Sequence, residues 1–527
     1  MLAVRFLRRR PQILEPVTRA SSAKRQTFFD AIWSSVIWTT LDRAAALFKH
    51  AYVASIIGLT AEVDVFYMAV AIITLFVFAW GRIAEVLAVP RLVEQINKGE
   101  HEEARQLSAD LFSFSVIFSL GIGLALNALW PALTHIAWGF DRGRLDLLDE
   151  AIKWAQPLLF LYIPTRMLYS LSKARRAFYV SYRNEFIVTL TILALVKIYP
   201  DSNGVLVWSF GIGTLVAFLT TLSSSWQFFG RWGNPFSQGV RAILPFAPPL
   251  LVMFSVQHLY TLIDKGFLSY LPEGFVSVIA YSWTLTTLAP SILQIEGAFI
   301  TVYTEAKQNS EIRSETVNKL VSASITLGVM ISLLLIEYGQ DIVAILLERG
   351  KFGPEDTKHV ASCLGIFAPS IIPLLLMNPL GQIFQVEHRV KLVIRRLVFG
   401  TMINVVCCYL FLFEFKLGAS GVALATTISQ WAMLCSALIL MRRIQLRIHY
   451  KRHLGWLITL IIFGLLDLRI SETLRAVHPS HWMIIPSGLL FLILFMLPIL
   501  LGKSRESTLA RALLGRSLQK IGLGKLG

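Results

Sequence analysis

The chain has 527 residues, of which 55% are hydrophobic and only 16% charged, with a mean hydropathy of +0.62. Soluble domains carry about 25% charged residues, so a soluble protein is excluded and a membrane protein expected. The formal charge of +16 would suggest nucleic acid in a soluble chain, but here the basic residues gather at the ends of apolar blocks and no nucleic-acid partner is expected.

Residues 1–27 are rich in Lys and Arg and lack an apolar run ending in a small-residue cleavage site, so they read as a retained basic tail. Fourteen apolar blocks follow, at about 28–57, 64–93, 107–136, 152–172, 184–199, 204–229, 241–264, 275–303, 319–338, 359–385, 396–415, 418–441, 453–468 and 481–502. A helix of roughly 20 residues crosses about 30 Å of hydrocarbon. Helices satisfy their own backbone in lipid, and the alternating pattern of a membrane barrel is absent. The expected fold class is therefore an all-α polytopic membrane protein with about 14 transmembrane helices. Cys363, Cys407, Cys408 and Cys435 lie in apolar stretches without metal-ligand spacing and read as small hydrophobes. Asp141, Asp146 and Asp149, among Arg142 and Arg144, read as a solvated loop.

The connections on the side of the N-terminal tail, with both tails, hold 33 Lys/Arg against 11 on the other side. The positive-inside rule places both termini in the cytoplasm. A repeat aligns Val63-Asp64-Val65 with Val276-Ser277-Val278, six spans apart. It predicts two six-helix lobes plus two C-terminal helices: a first lobe over 28–229, a second over 239–441, spans 13 and 14 over 453–502 and a basic cytoplasmic tail over 503–527.

Charges inside spans are expensive and mark function. The first span carries Asp42, Arg43, Lys49 and His50; at seven-residue spacing Asp42 shares a face with Lys49 and Arg43 with His50. The second adds Arg82 and Glu85, an i,i+3 pair. The seventh carries His258, Asp264 and Lys265, and the eighth Glu296. Arg43, Lys49, Arg82 and Glu296 are expected to line a cavity. Arg166, Lys265 and Arg91 are expected to pair or to reach the interface. Cations in a desolvated space suit a phosphate or carboxylate. Pro164, Pro245, Pro248, Pro249, Pro290, Pro369, Pro373 and Pro379 interrupt spans and can bend them. With no P-loop and no recognisable nucleophile and base, transport rather than catalysis is expected, without a cofactor but with a possible coupling ion, H+ or Na+.

The segments LDRAAALFKHAYVASIIGLTAEVDVFYMAV, AEVLAVPRLVEQ, LIDKGFLSYLPEGFVSVIAYSW, LLERGKFGPEDT and GASGVALATTISQWAML, in this order, resemble the MurJ/MviN lipid II flippases, within the superfamily of multidrug, oligosaccharidyl-lipid and polysaccharide exporters. The resemblance implies a bacterial inner-membrane protein with a central cationic cavity between two lobes and a lipid-tail groove at spans 13 and 14. Its cargo would be an undecaprenyl-pyrophosphate-linked saccharide, flipped to the periplasmic leaflet by alternating access. It places Arg43 and Lys49 at basic positions of the family's first span and Asp64 at the acidic position opening the second. Basic positions of the family correspond here to Val77, Phe78 and Thr284, for which Arg82, Glu85, Lys265 and Glu296 are candidate compensations. The cargo is thus lipid II or an exopolysaccharide or O-antigen unit. Alternatives are a cation-coupled small-molecule exporter, with Asp264 and Glu296 as candidate carboxylates, and a non-transporting scaffold of an envelope-synthesis complex.

Overall fold

The computed structural model describes residues 28–477 except 176, 178, 294–298, 300–302, 304–309 and 388, together with Phe495. Glu296, the fourteenth expected span apart from Phe495, and both basic tails lie outside the described residues. Among the described residues the chain is helical without strands, an all-α polytopic membrane protein.

The long helices are α1 (Phe28–Ile56), α2 (Ala61–Lys98), α3 (His101–Leu133), α4 (Arg142–Trp154), α5 (Gln156–Ala174), α6 (Tyr179–Ile198), α7 (Val205–Ser225) and α8 (Ala247–Leu268). Then follow α9 (Phe275–Leu293), α10 (Ser310–Leu347), α11 (Pro354–Phe367), α12 (Ile371–Val386), α13 (Val390–Tyr409), α14 (Gly418–Leu440) and α15 (Tyr450–Val477). Three differ instructively from the expectation. The polar stretch expected to be a loop near 94–107 is helical except for a tight turn, because α2 continues to Lys98 and Gly99, at φ 81°, closes it by donating to the carbonyls of Gln95 and Ile96. With 38 residues α2 is about 57 Å long, well beyond the hydrocarbon thickness. The expected span 359–385 is two helices, α11 and α12, joined by a 3-10 turn at Ala368–Ser370 that contains Pro369. The acidic loop after Asp141 is the amphipathic helix α4, which buries Leu148, Ala151 and Ile152.

Helices α1–α7 pack largely on one another, and α8–α15 likewise. The long seam between these halves is α2 against α8, running antiparallel: Tyr67 meets Lys265, Phe78 meets His258 and Arg82 meets Phe254, and just before α8 begins Arg91 meets Ala242. At the Asp64 end both halves share one apolar core, in which Met68 and Ile72 join Leu148, Tyr281, Phe352 and Val422. Towards the Arg91 end the core divides: Leu92, Leu111, Leu168 and Ile243 belong to one cluster, while Ala79 and Ile83 of α2 join Ala247, Leu320, Leu380 and Met441 in another. The connection between the halves is strapped to α3: Gly233 N–H donates to Ser113 (2.9 Å), Asn234 N–H to Asp110 (2.7 Å), and Phe112 stacks on Phe229.

Candidate functional site

On α5, Tyr162, Arg166, Tyr169 and Lys173 recur at helical spacing and form one stripe. On α2, Phe78, Arg82 and Glu85 do the same. Packing α2 against α5 joins the stripes. Lys173 Nζ lies 2.8 Å from Glu85 Oε1, and Arg82 Nη1 is 3.8 Å from the other oxygen of that carboxylate. Arg166 Nη2 pairs with Glu185 of α6 at 2.8 Å while its Nε donates to the Tyr162 hydroxyl at 2.7 Å. Its guanidinium lies 4.8 Å from the Tyr162 ring centroid, 5.3 Å from Tyr169 and 5.7 Å from Phe78.

Asp42 and Lys49 of α1, which packs on α6, lie within electrostatic reach of this network, Asp42 of Arg43, Glu185, Lys49 and Arg166, and Lys49 of Glu185 and Asp42. Lys49 also lines a narrow crevice with His50, Val53, Val63, Phe66, Tyr67, Ile192 and Leu206. The four cations Lys49, Arg82, Arg166 and Lys173 thus stand against the three carboxylates Asp42, Glu85 and Glu185. Arg43 is exposed on the adjoining face of α1. Arg82 is the most exposed member, with 62% of its side chain accessible and its guanidinium 6.0 Å from the Phe254 ring across the seam.

The network also accounts for Val77 and Phe78, which stand where the resemblance expects basic residues. Val77 is fully buried, while Phe78 stacks on Tyr162 at 4.3 Å and 18° beside the Arg166 guanidinium. A cation missing from the second span is present in space, contributed by the fourth. Thr284 is half-buried and returns its hydroxyl to the Ala280 carbonyl. Arg166, expected to pair or reach the interface, does pair, yet at the centre of the network rather than at its edge. Glu185 and Lys173 were not singled out from the sequence; the stripe Tyr162–Arg166–Tyr169–Lys173 was the available signal.

Asp64 and Lys265 lie elsewhere, at the joint between the halves. Asp64 is fully buried and accepts from Gly274 N–H (2.7 Å), Ser277 N–H (2.8 Å) and the Ser277 hydroxyl (2.6 Å), capping α9 from the other half of the molecule. Glu273 reciprocates, accepting from Ala61 N–H at the start of α2 (2.5 Å). Asp64 and Ser277, the residues aligned by the repeat, therefore touch. Lys265 spans the seam to the Tyr67 carbonyl (2.7 Å), whose own hydroxyl bonds His50 Nδ1 (3.1 Å). Two further contacts tighten this end. Lys351 N–H donates to the Ser55 carbonyl (2.9 Å), and Gly139 N–H to Ser269 (2.9 Å). Gly350, at φ 61°, comes so near that a Cβ would lie 2.1 Å from the Ser55 oxygen.

Asp264 turns the other way. One residue is about 100° of helix, so while Lys265 reaches the first half Asp264 enters the second. It is buried, accepts from Thr426 Oγ1 (3.0 Å) and has Cys408 Sγ at 3.7 Å. Tyr260, one turn earlier, bonds Ser429 and the Thr426 carbonyl. The sequence candidates thus fall into three places: Lys49, Arg82 and Glu85 in the network with Arg43 beside it, Asp64 and Lys265 at the joint, and Asp264 inside the second half.

Comparison with known proteins places this arrangement. A family model described as lipid II flippase MurJ matches residues 53–482. A probable lipid II flippase MurJ of Thermotoga maritima is 22% identical over 398 residues, covering 74% of this chain and 80% of its own. The Vibrio cholerae counterpart is 24% identical, covering 74% and 78%. Among solved structures, a lipid II flippase MurJ in an inward closed conformation superposes with a TM-score of 0.73 at 16% identity, over 88% of this chain and 97% of the other. An inward-facing multidrug-resistance MATE transporter of the MOP superfamily gives 0.63 at 15%, over 77% and 98%; at such identities the likeness is one of fold. With the family model matching most of its length, the chain belongs to the lipid II flippase MurJ family.

Proposed function

We propose that this multi-pass bacterial inner-membrane protein translocates an undecaprenyl-pyrophosphate-linked saccharide from the cytoplasmic to the periplasmic leaflet, with both termini in the cytoplasm. The family and its curated relatives support a lipid-linked peptidoglycan precursor of the lipid II type as cargo. The observation that carries the reading to these residues is the cation excess of the first-half network, arranged around Arg166 and opening at Arg82 towards the seam. A pyrophosphate needs several cations, and arginine binds it bidentately. The joint at the Asp64 end and the divided core at the opposite end support alternating access in which this conformation is closed to the periplasm.

The test is lipid II translocation in proteoliposomes, with an O-antigen-type undecaprenyl-pyrophosphate substrate in parallel. Double replacement of Arg82 and Arg166 by Gln is expected to abolish transport of the true cargo. Wild-type rates in that variant, at equal reconstitution, would sink the assignment. A second reading, a cation-coupled exporter of small molecules, rests on the buried Asp264 with its hydroxyl and thiol neighbours. It predicts ion-dependent efflux that Asp264→Asn removes, with no effect on envelope glycans.

A further inference from the structure

Two helices of the second half carry polar groups without any formal charge. Neither α9 nor α12 contains a Lys, Arg, Asp or Glu, whereas α2 and α5 of the first half bring Arg82, Glu85, Arg166 and Lys173. Helix α12 is buried on every side but one. Apart from its last residue, only Leu374, Asn378, Gln382 and Gln385 are not fully buried, and at spacings of four, four and three residues they form a single stripe. A stripe turned to lipid is apolar, because carboxamides in hydrocarbon forfeit their hydrogen bonds. Three carboxamides on the one open face of a membrane helix mark polar space.

The stripe reaches the seam. Gln385 Nε2 lies 3.9 Å from Met253 Sδ of α8, and the next residue of α8, Phe254, is the one whose ring meets the Arg82 guanidinium. Helix α9 packs beside α12 and adds Thr284, Thr287 and Ser291 at i, i+3 and i+7, all half-buried. Each of these hydroxyls donates to a carbonyl of its own helix and so has only lone pairs left to offer. Gln382 differs. Its Oε1 is buried and, among the described residues, has no hydrogen-bond partner, a standing cost that a ligand's donor removes.

A carboxamide offers two donors and an acceptor in one plane and carries no charge. It matches sugar hydroxyl and acetamido groups, which need both, better than a pyrophosphate, which only accepts. We propose that Asn378 and Gln382 of α12 bind the saccharide of the cargo, an N-acetylated sugar next to the pyrophosphate, while the first-half cations hold the pyrophosphate itself. The inference rests on the lipid-linked cargo proposed above. The two halves then read two parts of one substrate. Pyrophosphate is common to all such lipids, so the carboxamides decide which glycan is carried: a cargo lacking the matching group leaves them unpaired.

Full-length protein in detergent is titrated with undecaprenyl pyrophosphate and, separately, with undecaprenyl-pyrophosphoryl N-acetylglucosamine, bound ligand being counted by native mass spectrometry. The sugar-bearing lipid is expected to bind the wild type about tenfold tighter. Asn378→Leu combined with Gln382→Met keeps side-chain size and removes the polar groups; it is expected to bind both lipids equally, at the wild-type affinity for the bare pyrophosphate. Arg82→Gln is expected to weaken both lipids and keep their ratio. Because the ratio is read within one preparation, a partly unfolded variant lowers both affinities and does not imitate the result. Equal affinity of the wild type for the two lipids overturns the inference, and so does a tenfold ratio that survives in the double variant; both leave pyrophosphate binding standing. A wild type that binds neither lipid overturns the cargo reading and this inference with it.

Discussion

The joint at the Asp64 end and the charge network around Arg166 use the same residue types for opposite purposes. At the joint each carboxylate finds backbone N–H groups of the other half: Asp64 takes those of Gly274 and Ser277, and Glu273 that of Ala61. In the network every pair lies within α1, α2, α5 and α6 of the first half. A relative movement of the halves must break the first set and leaves the second intact. Bonds across a seam set which conformation is populated, whereas bonds within one body hold cations in a fixed arrangement while that body moves.

This comparison can be broken at its strongest point. Asp64→Ala strips the acceptor from three donors at the head of α9 and should cost about 3 kcal/mol, hydrogen bonds to a charged group contributing roughly 1.5–3 kcal/mol each but not additively. The expected readout is a lowered unfolding midpoint with faster hydrogen exchange of the 274–281 amides; unchanged exchange there would mean that the halves are held by other contacts. Arg166→Met removes the ion-pair partner of Glu185, with Lys49 still in electrostatic reach, and should cost about 1–2 kcal/mol, and adding Glu185→Gln should recover part of it. Strictly additive effects of the two replacements would show that they do not act as a pair.

Gly350→Ala tests the joint without touching charge. A left-handed backbone costs about 1–2 kcal/mol for a residue with Cβ, and here the Cβ would also meet the Ser55 carbonyl. A lower midpoint, with loosened exchange at residues 55–58, is expected. The smallest effect on stability belongs to Arg82→Gln: its partner Glu85 keeps Lys173, so the change should stay below about 1 kcal/mol. Its effect on transport should nonetheless be clear, as a raised substrate requirement in the proteoliposome assay. A variant that melts lower but transports normally would make Arg82 a structural residue and move the cargo path elsewhere.

Much of the fold was legible because lipid permits so few backbone arrangements. Long apolar blocks become helices, and their order and approximate bounds follow from composition. The misplaced details lie where side-chain chemistry competes with the lipid rule. Charged Glu94 and Lys98 continue α2 past the apolar block, since they pair at i,i+4 at 2.7 Å, and Pro369 lies in the turn that breaks a block which reads as continuous.

The site was legible only as an inventory. Periodicity put Asp42 and Lys49 on one face of α1 and Arg82 with Glu85 on α2, since these relations lie within one helix. Nothing in one dimension says that Arg166 stands over Phe78, that Asp64 caps a helix 210 residues away, or that neighbouring Asp264 and Lys265 serve different halves. The sequence by itself determined a helical membrane bundle with cations it could not leave in lipid. Which of those cations face one another, and which instead hold the two halves together, was decided by helix packing, because a buried charge is satisfied by whatever partner the neighbouring helix brings within about 3 Å.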